Sequence, residues 1–152
     1  MTIKRRFRGM RGFRSERGAA LVEFALVVPF LMLMMCATID FGLAVYTLNN
    51  LTAAAREGGR YGAALNQAAW SAPATSQDSV RYRVYRYIVG MNNGLTAAQT
   101  LALISVSKDA NQDITVRITG YPYKPVTPLA NMLGLQTISL NRTAIFRWEY
   151  GS

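Results

Sequence analysis

The feature that most constrains this chain is an apolar run from Ala19 to Ile39, whose only charged residue is Glu23. As an α-helix with a rise of about 1.5 Å per residue, the run reaches about 30 Å, which matches the hydrocarbon core of a bilayer. We therefore predict a membrane-spanning helix, placed at residues 19–45 so that the apolar residues after Ile39 are included. Pro29 lies inside it and predicts a bend or local loosening, because proline lacks an N–H and clashes with the carbonyl of Ala25.

Basic residues are concentrated ahead of this run. Residues 1–18 contain seven Lys or Arg and one acid, whereas the rest of the chain contains ten and seven. The net charge of +9 is therefore mostly a property of this leader, and the rest needs no polyanionic partner to explain it. Because positive charge favours the cytoplasmic side, we expect a cytoplasmic N-terminus in a bacterial inner membrane. Residues 46–152 would then form an extracytoplasmic domain.

A cleaved secretory signal peptide is the main alternative to a membrane anchor. Its apolar region normally has about 7 to 15 residues and ends at a small-residue cleavage site. Here the run is longer and continues without a loop into Asp40, Phe41 and Gly42. We therefore favour a retained anchor. Cys36, the only cysteine, lies in the run; it excludes an intramolecular disulfide and is expected to be an apolar packing or lipid-facing residue.

Glu23 is an unusual residue for the start of a membrane span. A charged side chain there costs on the order of 2 to 3 kcal/mol unless it is neutralised. One interpretation is a carboxylate that reaches the headgroups or stabilises the first helical turn. The other is a carboxylate with a specific partner, and the neighbouring residues favour this second interpretation.

The sequence from Gly18 to Phe24, GAALVEF, resembles the processing site of type IV pilin-like proteins. In that family a membrane-embedded aspartyl prepilin peptidase cuts after the glycine, and the mature chain has glutamate as its fifth residue and an aromatic as its sixth. Gly18, Glu23 and Phe24 match these positions, so the resemblance implies removal of residues 1–18. Cleavage would leave a positive amine on Ala19 that can pair with the Glu23 carboxylate.

A second segment, residues 39–63, points to a particular family. Its sequences IDFGLAVY and AAAREGGRYGA resemble the TadE-like proteins of tight-adherence (Tad/Flp) type IV pilus systems, which typically read FG and then AAREGARYAA. Gly59 stands where alanine is usual. The resemblance is strong over residues 17–64 and general beyond them. It implies a minor pilin or pseudopilin needed for pilus assembly, not an enzyme, and it implies as partners the membrane, the prepilin peptidase, TadF-like and TadG-like pseudopilins, the Flp pilin and platform proteins.

Small residues follow the span on one stripe of the continuing helix. Ala55, Gly58, Gly59 and Gly62 recur at spacings of three and four, which permits close approach of another element. Two interpretations are open: contact with another helix during assembly, or packing against the sheet of the same domain. We predict a role in helix packing or assembly for Pro29, Phe41, Gly42, Arg56, Glu57, Gly58 and Gly62.

The remaining sequence predicts an α+β fold in which the long N-terminal transmembrane helix extends to about Leu65, into a small domain with a second helix and a three-stranded antiparallel sheet. Ser76 is expected to cap the second helix. A two-residue period predicts a hairpin from Leu101–Ser107 and residues 114–119, and prolines 122, 125 and 128 then mark a long connection. The predicted inward-facing residues are Val80, Val84, Tyr87, Ile88 and Met91 on the second helix, and Ala144, Phe146 and Trp148 on the last strand.

Residues for catalysis, cofactors or metals are not apparent. The sequence has no histidine and no phosphate-binding glycine loop, and its one cysteine lies in the apolar run. Asp109, Asn111 and Asp113 have the spacing that opens a calcium loop. However, Ile114 and Gly120 occupy the positions of the required glycine and glutamate, so we predict a turn capped by Asx side chains.

Two other functions remain open. One is a signal-anchored envelope protein with an unrelated binding role. The other is nucleic-acid binding, which Arg81, Arg83 and Arg86 suggest because they alternate with Tyr82 and Tyr85. We favour a solvated helix face and no nucleic acid, because the expected topology places this helix outside the cytoplasm.

Overall fold

A computed structural model describes residues 12–70, 73–91 and 94–148. Residues 1–11 of the basic leader lie outside the described residues. The elements in chain order are α1 (Gly12–Ala63), α2 (Gln67–Trp70), α3 (Pro73–Ile88) with a 3₁₀ turn (Val89–Met91), α4 (Ala97–Ala102), β1 (Ile104–Lys108), β2 (Asp113–Tyr123), α5 (Pro128–Met132) and β3 (Ile138–Arg147).

Helix α1 is a single 52-residue helix that continues through Pro29. At about 1.5 Å per residue it extends over about 78 Å, far more than one bilayer core. From residue 18 to residue 39, most of its side chains are exposed. Its C-terminal half joins the domain core through Leu51, Ala54 and Ala55, which are almost completely buried. One helix therefore supplies both the apolar segment and a central element of the domain.

The three strands form an antiparallel sheet in the order β1-β2-β3. The alternation on β2 is as predicted, because Ile114, Val116 and Ile118 are buried while the residues between them are not. Helices α1 and α3 pack on this face of the sheet, and α3 contributes the buried stripe of Val80, Val84 and Ile88. The α+β fold with a long N-terminal helix, a second helix and a three-stranded antiparallel sheet is thus confirmed.

The second helix differs from the prediction in detail. It begins at Pro73, so Ser76 is not its cap but a buried residue that donates a hydrogen bond to the Ala69 carbonyl. Tyr87 is half exposed, because the apolar stripe follows i, i+4 spacing and leaves Tyr87 at its edge with access to water. Arg81 is not simply solvated: its Nε donates to the Ile104 carbonyl at the start of β1, and its Nη2 donates to the Leu101 carbonyl in α4.

The hairpin also begins later than predicted. Leu101 lies in α4, and β1 starts at Ile104. A capping box causes the difference: the Thr96 hydroxyl accepts from the Gln99 N–H, and the Gln99 side chain accepts from the Thr96 N–H, so helix formation is favoured here. Strand β2 in turn runs past Pro122, beyond a register shift at Gly120, whose φ of +72° suits glycine.

The turn between β1 and β2 is the Asx-capped turn that the sequence predicts. The Asp113 N–H donates to Asp109 Oδ1 over 2.8 Å. Near this end of the domain, the Lys108 ammonium lies over the rings of Trp148 and Trp70, with its Nζ 3.2 Å and 5.5 Å from the ring centroids. Burial lowers the pKa of Lys108. In the described part of the chain, no three His, Cys, Asp or Glu side chains come together as a metal site would require.

Candidate membrane anchor and assembly surface

The N-terminal half of α1 exposes a continuous apolar surface. Among the described residues, α1 is the one helix long and apolar enough to cross a membrane, and none of its most apolar stretch is buried by the chain. Phe24, Leu26 and Phe30 are each more than 60% exposed. So much contiguous apolar surface marks contact with lipid or with another protein. The segment is therefore compatible with a single-pass membrane anchor.

The four predicted processing residues lie together at the start of this surface. Gly18, Ala19, Glu23 and Phe24 are all exposed on α1. A Cβ atom added to Gly18 would meet nothing within 4 Å, so packing does not require a glycine here. Glycine inside a helix costs about 0.5 to 1 kcal/mol relative to alanine, which makes this turn easier to open. Packing within the described part of the chain thus gives no reason for a glycine at position 18.

Glu23 has no ion pair or hydrogen bond to any side chain that the structure describes. It lies one helical turn after Ala19, and residues at this spacing have Cβ atoms about 6 Å apart. An amine at Ala19 would therefore be within reach of the carboxylate of the same chain.

Asp40, just beyond the apolar run, attaches the domain to the helix. The N–H groups of Val126 and Thr127 donate to its Oδ1 over 2.9 and 3.1 Å, and the Thr127 hydroxyl donates to its Oδ2. The Tyr123 hydroxyl also donates to the Asp40 carbonyl over 3.0 Å, and burial together with the Asp40 charge raises the pKa of Tyr123. We call these contacts the Asp40 clamp. Sequence analysis missed it, although a lone acid directly after the apolar run was a visible signal.

Phe41 and Gly42 follow the clamp and are largely free. Phe41 is 72% exposed, and a Cβ on Gly42 would meet nothing within 4 Å. An apolar groove lies beside them, between α1 and the β2–β3 connection. It is lined by Ala37, Asp40, Phe41, Ala44, Tyr123, Pro125, Ala130, Leu133, Leu135 and Ile138.

Glu57 is bound within the domain by two arginines. Arg60 donates to both of its carboxylate oxygens over 3.0 and 2.9 Å, and Arg83 of α3 donates to Oε1 over 3.3 and 3.0 Å. The hydrogen bonds from Arg83, and then those from Arg60, hold the pKa of Glu57 below its usual value. Glu57 thereby ties α1 to α3. Its neighbour Arg56 is exposed and makes no ion pair or hydrogen bond within the described ranges.

Gly58 and Gly62 lie inside the domain. A Cβ on Gly58 would overlap Cγ2 of Val84, and one on Gly62 would lie 3.2 Å from Cγ2 of Ile114. Between the two open interpretations of the small-residue stripe, the geometry supports packing against α3 and the sheet of the same domain. The structure thus separates the predicted packing residues. Glu57, Gly58 and Gly62 have internal partners, whereas Phe41, Gly42 and Arg56 face outward.

The comparison with known families agrees with this geometry. Residues 18–60 match the family model described as TadE-like protein. No curated protein and no solved structure matches the chain. The matched residues include the exposed apolar segment of α1, Asp40 and Glu57. The resemblance drawn from the sequence is confirmed over residues 18–60, where the chain is similar to TadE-like proteins, and this similarity implies involvement in the tight-adherence pilus system.

Proposed function

We propose that this chain is a minor pilin or pseudopilin that supports assembly of a Tad/Flp adhesive pilus. Residues 19–45 hold it in the inner membrane with the N-terminus in the cytoplasm, and residues 46–152 form the extracytoplasmic domain. The observation that carries the proposal is the coincidence of the TadE-like match with an exposed apolar helix that presents Gly18 and Glu23 at its start. The role is one of assembly, and it involves no catalysis, cofactor or nucleic acid.

Processing by the prepilin peptidase is the first step of this function. A cut after Gly18 removes the basic leader and creates an amine on Ala19. This amine and the Glu23 carboxylate neutralise each other, within one chain or between neighbouring subunits. An isolated carboxylate is expensive to hold among lipid or protein side chains, and pairing offsets that cost only if both partners are in place. Glu23 therefore favours a docked, assembled state.

The partners follow from this position in the membrane. The prepilin peptidase acts on residues around Gly18. TadF-like and TadG-like pseudopilins, the Flp pilin and the platform proteins then meet the mature chain along α1 and beside Phe41. Support for this surface comes from the exposure of the apolar half of α1 and of Phe41, which the described part of the chain leaves largely uncovered.

The test is intact-mass measurement combined with piliation. The wild-type chain should yield a mature form that begins at Ala19, and Gly18→Val should retain the leader because a branched side chain crowds the peptidase cleft. Gly42→Val is the matched control, since Gly42 also faces open space on α1 but is remote from the cut. It should be processed normally.

Glu23→Ala separates processing from assembly. We expect a chain that is cut and membrane-inserted normally but does not support pili in a strain that lacks the wild-type copy. Normal piliation by Glu23→Ala would overturn the pairing argument. A chain that keeps its leader, in cells whose pili survive its deletion, would instead favour a signal-anchored envelope protein with an unrelated binding role.

A further inference from the structure

The connection between β2 and β3 exposes more apolar surface than a loop in water normally does. We call residues 124–137 the membrane-proximal loop. Its apolar residues Val126, Met132, Leu133 and Leu135 are 70%, 84%, 65% and 50% exposed. Lys124 is its only charged residue, and it has no acid. This combination of exposed apolar side chains with one cation is typical of a segment at a membrane interface.

The fold fixes the height of this loop along α1. The Asp40 clamp holds its backbone at residues 126 and 127. Leu133 and Leu135 line the groove with Ala37 and Phe41 of α1. Ala37 and Phe41 lie two residues on either side of Ile39, the end of the apolar run, which corresponds to about 3 Å along the helix axis in each direction. The loop is therefore level with the end of the apolar run.

The opposite end of the sheet has a different surface. Strand β2 runs antiparallel to α1, since Tyr123 contacts Asp40 and Ile114 lies beside Gly62. The two helix positions are 22 residues apart, about 33 Å along the axis. At that far end, the turn between β1 and β2 exposes the polar residues Asp109 and Asn111, whereas the membrane-proximal loop exposes leucines and a methionine. The exposed leucines and methionine of the sheet connections thus lie on the side of the bilayer.

We propose that the membrane-proximal loop inserts into the outer-leaflet interface of the membrane that α1 crosses. Met132, Leu133 and Leu135 contact the upper acyl chains, and the Lys124 ammonium contacts lipid phosphates. The domain then rests on the membrane at a second point and does not stand on α1 alone. This inference rests on the membrane anchorage in the proposed function, and it adds a lipid-binding site in the extracytoplasmic domain.

Depth-dependent quenching in vesicles tests the insertion. The full chain is labelled on cysteine with an environment-sensitive fluorophore and reconstituted into phosphatidylethanolamine–phosphatidylglycerol vesicles with or without brominated acyl chains. Native Cys36 provides the reference for the hydrocarbon core. In a Cys36→Ala background, Met132→Cys places the probe on the loop and Asn111→Cys places it at the far turn. We expect blue-shifted, brominated-lipid-quenched emission from position 132 and neither effect from position 111.

The outcomes distinguish the loop from the anchor. If the probe at Cys36 is quenched but that at position 132 behaves like position 111, the anchor stands and the loop proposal is wrong. If the probe at Cys36 is not quenched, both are wrong. A blue shift at position 132 that disappears when the protein is diluted in excess lipid would assign the loop to a second copy of the chain and would also overturn the proposal.

A variant that introduces two negative charges into the loop supplies an independent check. Leu133→Asp combined with Leu135→Asp should remove the quenching at position 132, because carboxylates are disfavoured in the acyl region. Tryptophan emission from Trp70 and Trp148, which are buried far from the loop, should stay as in the parent chain and report a folded domain. Unchanged quenching in this folded variant would contradict insertion of the two leucines.

Discussion

Substitution of Gly58 by alanine tests whether the small-residue stripe is used within the domain. A Cβ at this position would overlap Cγ2 of Val84, and Val80 and Val116 also lie within 4 Å of it. Val84 has little freedom to move away, since a β-branched side chain in a helix strongly prefers one rotamer. The added methyl group must therefore push α1 and α3 apart or force an unfavourable side-chain angle.

The expected size follows from two opposing effects. Alanine gains about 0.5 to 1 kcal/mol over glycine inside a helix. Overpacking of a tight core typically costs about 1 to 3 kcal/mol. The difference predicts that Gly58→Ala lowers the free energy of unfolding by about 1 kcal/mol. At Gly62 the same Cβ would lie 3.2 and 3.3 Å from its neighbours, so we expect a smaller loss there. At Gly42 it meets nothing, and no loss is expected.

The assay is urea unfolding of the full chain in detergent micelles, followed by tryptophan fluorescence. Trp70 and Trp148 are both buried, and both donate through the indole N–H to carbonyls at the end of α1, so their emission reports on the domain. Val84→Ala alone should cost about 2 kcal/mol for the buried carbon atoms that it removes. The double variant Gly58→Ala/Val84→Ala should be about 1 kcal/mol more stable than the sum of the losses from the two single variants predicts.

Two results would refute this reasoning. Additive losses in the double variant would show that the Gly58 position and Val84 do not compete for space. A Gly58→Ala chain as stable as Gly42→Ala would show that the stripe is not tightly packed in the domain. Combined with a loss of piliation, that second result would restore the interpretation that Gly58 contacts another subunit.

Three further outcomes follow from the contacts. Arg83 and Arg60 lower the pKa of Glu57 in the folded chain. At pH values above its unfolded pKa of about 4.3, its ion pairs should therefore stabilise the folded chain by about 1 kcal/mol, and this stabilisation should be lost as the pH falls. The free energies of unfolding of wild type and Glu57→Gln, measured by urea titration, should converge at acidic pH. Asp40→Ala should lower the free energy of unfolding and increase hydrogen exchange of the Thr127 amide, whereas Asp40→Asn, which keeps one acceptor oxygen, should change both less. Gly120→Ala should cost about 1 to 2 kcal/mol in the same urea assay because its φ is +72°, while Gly90→Ala, with a Cβ in open space and no positive φ, should be close to neutral.

Local periodicity accounts for the parts of the fold that the sequence predicted. The length of the apolar run and the charge before it indicate α1, and the alternation of Ile114, Val116 and Ile118 indicates a half-buried strand. The sequence predicts a start of β1 earlier than the structure shows, because the apolar residues 101–103 directly precede Ile104 and Val106. The capping box from Thr96 was also visible, and it gave the stronger local signal.

Contacts between distant residues account for what the sequence did not show. Asp40 and Thr127 are 87 positions apart, and Glu57 and Arg83 are 26 apart, so no helix or strand period relates them. The family motif marked Glu57 as notable but did not reveal whether its partner lay in the same chain. Of the two ion pairs of Glu57, the one with Arg60 could be derived from sequence spacing, because the two residues are three positions apart on one helix.

The structure divides the predicted packing and processing residues into two groups with different expected phenotypes. Glu57, Gly58 and Gly62 face α3 and the sheet, so their substitution should lower domain stability first and affect pili only through it. Glu23, Phe41 and Arg56 have exposed side chains, which the described part of the chain leaves largely uncovered. Substitutions in this second group should leave urea unfolding unchanged while piliation is lost, because only a contact outside the chain uses these side chains. A loss of domain stability with Phe41→Ala or Arg56→Ala would contradict this division.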